Sequence, residues 1–186
     1  MNNTSFGIKD PIDYSKKIQR EFDRLDSSKN IQDKVDHSLN FAFTAWHLVD
    51  WLWKHNPTKA KLKNLGFNKF EDFHSYTRNT CTGLQICYEV ALGFKHFELR
   101  ESQSKSVKSA NKVTTSKDGI VKPLVRPLVQ PFVQPLVRGS TTELIVTKHD
   151  GTKTKFSVVA EDVKDYWKSR LLVFGINNLT TFATYL

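Results

Sequence analysis

Cysteine, glycine and long apolar runs are all scarce in this chain of 186 residues, and each scarcity excludes something. The two cysteines, Cys81 and Cys87, stand six apart on an expected helix, a spacing that rotates them away from each other. They cannot pair locally, and no second pair exists to build a zinc site. Both read as small core residues. The 8 glycines are unclustered, so there is no phosphate-cradling loop and no nucleophile elbow. The most apolar run, FAFTAWHLVDWLW at 41–53, falls short of the roughly 20 residues that span a bilayer and carries His47 and Asp50. The opening MNNTSFGIKDP is polar, with no apolar signal region. These features predict a cytoplasmic protein without a membrane partner. No cofactor is expected. His47, His74 and His96, on three successive helices, could converge on a metal, but no H-x-x-x-H spacing asks for one, so no metal site is assigned.

What is present is globular in kind, with 12% aromatic and 25% charged residues, enough for one compact domain with a core. The net charge of +9 is uneven. Residues 1–100 carry 15 Lys and Arg against 12 Asp and Glu, whereas residues 101–186 carry 13 against 7. A positive field suits RNA or an acidic protein partner and supplies the unspecific part of binding. Lys105, Lys108, Lys112, Lys117 and Lys122 are the candidate nucleic-acid contacts.

Apolar spacing predicts a helix over 11–28, opening at Pro11 and turning Ile18, Phe22 and Leu25 inward. A longer one covers about 31–54 and is apolar around most of its circumference, so it is central. Its narrow polar strip holds His47, Asp50 and Lys54. Helix 68–77 and helix 80–97 complete a bundle over 1–99, the latter with Gln85, Glu89 and His96 opposite its apolar face. Residues 100–122, rich in Ser, Thr and Lys, read as a flexible basic linker. The segment PLVRPLVQPFVQPLVR (123–138) repeats a four-residue unit with Pro123, Pro127, Pro131 and Pro135 in step. In an extended backbone all four prolines fall on one edge, which fits an edge strand paired on one side, through which copies of the chain could associate. An unpaired extended arm fits equally. Over 139–186 the expectation is a hairpin, TTELIVTK and TKTKFSVVA about Asp150-Gly151, then a helix over about 161–174. The fold class is therefore α+β, mainly α: a helical bundle, then a small β unit with a carboxy-terminal helix packed on the bundle.

Two constellations have chemical potential. His47 and Asp50 (i, i+3) and Asp50 and Lys54 (i, i+4) can touch, as an oriented general base requires, although ordinary surface ion pairs share that spacing. Lys95-His96, after Gly93, could hold a phosphate and move a proton, or simply cap a helix whose dipole favours cations there.

The segments TAWHLVDWLW and ICYEVALGFKHF, the repeat-like insert and the closing hairpin with its Trp-containing helix resemble a group of short bacterial proteins. That likeness implies a shared fold and no particular activity. More remotely, the end of the fourth expected helix resembles the HEPN superfamily of helical ribonuclease toxins and defence proteins. The hallmark there is an Arg, a polar residue and a later His on one helix. This chain has Arg78-Asn79 and, separately, Lys95-His96, so the likeness implies only His96 as acid/base and Lys95 as a phosphate contact. Two functions are expected on these grounds. One is a non-enzymatic interaction module using the repeat and linker; the other is a HEPN-like RNA-cleaving or RNA-binding protein with Lys95, His96, His47 and Asp50 in one pocket.

Overall fold

The computed structural model describes residues 6–96, 105–115 and 141–176. Its elements run α1 (Pro11–Ser27), α2 (Ile31–Lys54), α3 (Asn56–Asn64), α4 (Phe70–Thr80), α5 (Thr82–His96), β1 (Val107–Thr115), β2 (Thr141–Lys148), β3 (Lys153–Lys155) and α6 (Phe156–Val173). This is the α+β, mainly α class that the sequence predicts.

α2 is the axis of the bundle and packs against each of the other helices and against β2. Phe41, Ala42, Ala45, Leu48, Val49 and Leu52 are fully buried along it. A buried indole ties α6 to it, Trp167 Nε1 donating to the Ala45 carbonyl at 3.0 Å. Local chemistry sets the ends. The Asp10 carboxylate caps α1 by accepting from the Ile12 and Asp13 amides, and Asn30 caps α2 in the same way. Pro57 cannot continue α2, which ends at Lys54. It also opens α3, where its missing N–H costs nothing. α3 and α6 end alike, with Gly66 and Gly175 at positive φ and paired backbone bonds reaching back over the last turn.

The β unit differs from expectation in two places. Residues 107–115, expected inside a linker, form β1 and pair antiparallel with β2 from Val107–Lys148 to Thr115–Thr141, with a bulge between Val107 and Ser109. Their small polar side chains suit a half-exposed strand, and composition alone reads that as disorder. The second strand of the Asp150-Gly151 hairpin is also short. Only Lys153–Lys155 pair with β2, and FSVVA enters α6 to bury Phe156, Val159 and Ala160. The sheet order is β1-β2-β3. The repeat at 123–138 lies outside the described residues. Among those residues no helix is long and apolar enough to cross a membrane.

Candidate functional site

The β1–β2 hairpin is pinned to the bundle at its base by one side chain. Glu89 of α5 is fully buried. Its carboxylate accepts from three consecutive amides at the start of β1: Lys105 at 2.9 Å, Ser106 at 2.9 and 3.1 Å, and Val107 at 2.6 Å. Gln85, one turn earlier and also buried, donates its side-chain amide to the same group. A buried charge is tolerable only when its lone pairs are met, and here donors converge on both oxygens. Sequence reasoning put Gln85 and Glu89 on a wet face opposite the apolar one, and the structure corrects this. The strand that covers them was itself unrecognised, so the only available signal was an i, i+4 Gln–Glu pair on an otherwise apolar helix.

At the other end the ladder closes at Thr115–Thr141, so residues 116–140, which include the repeat, join two strands whose ends lie side by side. Lys105, Lys108 and Lys112 are exposed on or beside β1, and Lys112 Nζ donates to the Gln32 Oε1 of α2 at 3.1 Å. Lys117 and Lys122 lie outside the described residues.

The helix-borne candidates are partly brought together. Asp50 and Lys54 share an open cleft of about 440 Å³ with Lys9, Trp51 and His55. Trp51 stacks on Tyr14 of α1, ring centroids 4.8 Å apart. Burial, reinforced by the negative charge of Asp50, pushes the Tyr14 phenol up to about 12. His47 is exposed and turns away: its Nδ1 lies 2.7 Å from the Phe43 carbonyl, and its ring stacks on Phe43. Among the described residues Asp50 has no ion-pair partner, so neither expected pair, with His47 or with Lys54, is formed. Lys95 is exposed near the end of α5, and the His96 side chain lies outside the described set. Next to them, Phe94 meets Phe43 edge to face at 5.6 Å, so this end of α5 packs on α2 through carbon.

The histidine with the most structured surroundings is His74 of α4, which the sequence offered only as a remote ligand. It sits against Trp46, Phe70 and Tyr88, with centroids at 4.5, 5.4 and 5.6 Å. Arg78 lies over the other partner ring, its guanidinium carbon 4.7 Å from the Tyr88 centroid. Burial, then the Arg78 charge, holds the imidazole below its ordinary value, against the opposing pull of Asp50 and Glu71. A half-buried neutral ring in an aromatic box is a packing element that would resist protonation. Among the described residues no three His, Cys, Asp or Glu side chains are grouped to hold a metal ion. Comparison with protein-family models, curated proteins and solved structures finds no match for this chain.

Proposed function

We propose that the chain is a non-enzymatic interaction module that offers residues 116–140 to a partner protein from the end of a hairpin fixed to a helical bundle. The observation that carries this reading is the terminal pair of the ladder, Thr115 with Thr141. Two residues suffice to turn an antiparallel hairpin, yet the whole of 116–140 intervenes. Connections of more than about 12–15 residues in a compact domain are usually functional or linkers. This one carries a four-fold repeat of apolar and Arg or Gln side chains between prolines, a pattern suited to a partner that reads alternate positions of an extended chain. The Glu89 anchor supports the same reading, because it fixes the foot of the hairpin whose far end bears the segment. The dispersal of His47 and Asp50 supports a binding role over proton transfer.

The test replaces 116–140 by Asn-Gly and compares tagged full-length and shortened chains in cross-linked affinity capture with quantitative mass spectrometry. A specific protein enriched by the full chain and reduced at least about tenfold by the excision, with the circular dichroism unchanged, supports the module. Equal recovery by both chains overturns it. So does RNA cleavage on expression that His96→Ala abolishes.

A further inference from the structure

The inner face of the hairpin does not close completely on the bundle. Between α2 and the β1–β2 strands lies a slot of about 190 Å³ walled by Val35, Leu39, Val90, Leu144, Val146 and Phe156. Its polar side chains are those of Ser38, Asn111 and Lys112, Ser38 buried and the other two exposed.

Ser38 is the anomaly. It is 6% exposed, and its buried Oγ has no hydrogen-bond partner among the described residues. A helical serine ordinarily turns its hydroxyl back to a carbonyl about one turn earlier, as Ser15 does to Ile12 at 2.7 Å. Ser38 does not. Together with Leu144 and Phe156 it also borders a second cavity, of about 160 Å³, on the side of Lys34 and Lys155. A buried hydroxyl left unmet is costly. A single water is a poor answer, because a buried water needs roughly two to four polar partners and the walls here are mostly carbon.

We propose that this slot binds a short fatty carboxylate, with its chain between α2 and the hairpin, a carboxylate oxygen accepting from the Ser38 hydroxyl, and the Lys112 ammonium supplying the counter-charge. The apolar walls select the chain, since each methylene removed from water strengthens binding about fourfold. The cation selects the head. Lys112 already lines the slot and holds its ammonium on Gln32 by one exposed hydrogen bond, so turning inward costs little. This inference is independent of the interaction-module reading, because none of its residues belongs to 116–140.

Isothermal titration of the full chain with sodium octanoate tests it, with butyrate and 1-octanol as comparison probes. Saturable binding of octanoate is expected, weaker by about 250-fold for butyrate and about tenfold for octanol. Leu144→Trp, which fills the slot, abolishes binding. Lys112→Met, an exposed position that does not endanger folding, weakens octanoate about tenfold and leaves octanol unchanged. Ser38→Ala weakens octanoate and octanol alike, about fivefold. No saturable binding below about 5 mM overturns the proposal and leaves the hydroxyl to water. Octanoate binding indifferent to both Leu144→Trp and Lys112→Met overturns it, by placing the ligand elsewhere. Binding that emerges only after excision of 116–140 also overturns it, since the chain itself would then be the occupant.

Discussion

Glu89 shows how one residue can join two parts of a molecule. Its carboxylate meets three consecutive backbone amides at the entry to β1 and one side-chain amide, with no contact with water. Glu89→Gln keeps the shape but turns one acceptor into a donor facing N–H groups. A loss of about 2–4 kcal/mol is expected in urea unfolding. Hydrogen exchange at Lys105, Ser106 and Val107 should quicken more than at β2, a difference that general destabilisation would not give. The thiols make a second prediction at this scale. Burial pushes Cys81 up to about 11 and Cys87 higher still, from an ordinary value of 9.0. Below that ordinary value both states keep the proton and stability ignores it. Above it the unfolded chain releases protons that the folded chain retains, so stability falls with rising pH until Cys81 itself ionises. Tyr14 extends the decline from 10.0 toward about 12. Urea midpoints should therefore drop steadily between about pH 9 and 11, with a shallower slope in Cys81→Ala/Cys87→Ala. Both cysteines were legible as core from their spacing. Glu89 was not, because no local pattern announces that a strand 16 residues later will cover a helix face.

At the scale of elements, α5 crosses α6 closely at Gly83. A Cβ on Gly83 would lie 2.7 Å from Asp162 Oδ2, 2.8 Å from Val163 Cγ2 and 3.2 Å from the Val159 carbonyl. The carboxylate can swing away, but the valine and the backbone oxygen cannot. Gly83→Ala is thus expected to destabilise by about 1–3 kcal/mol despite the better helix propensity of alanine, read as a lower thermal midpoint. Adding Asp162→Ala should restore only part of it. If Gly83→Ala proved neutral, the two helices would have to pack less tightly than this. α2 was predictable to its ends because a wide apolar arc and a proline that cannot continue the helix agree. α6 was read as starting five residues late, because the β-branched SVV run looks like a strand until the burial of Phe156 and Val159 against the bundle is known. β1 was missed outright, since VKSANKVTT has little apolar character and gains its place from pairing with β2 and from Glu89.

For the molecule as a whole, residues 105–155 carry ten Lys and Arg against three Asp and Glu, a net +7 of the chain's +9. The β unit and its insert thus differ in character from the bundle that carries them. The bundle's core, by contrast, is continuous from Ile18 of α1 to Phe174 beyond α6 and includes Val107 and Val146 from the sheet. The described residues on both sides of the insert already join sheet and bundle in this core, so folding is expected not to need 116–140. Closing a loop costs about 0.6 kcal/mol for each doubling of its length, so replacing 116–140 by Asn-Gly removes about 2 kcal/mol of closure cost. The short turn also matches the twist of the flanking strands. The shortened chain is therefore expected to be as stable as the full one or up to about 2 kcal/mol more stable, with an unchanged urea m-value, the outcome for an insert that adds little to the surface exposed on unfolding. A loss of more than about 1 kcal/mol, or a smaller m-value, would mean that the insert contributes to the core and would remove the ground for treating it as a segment kept for a partner.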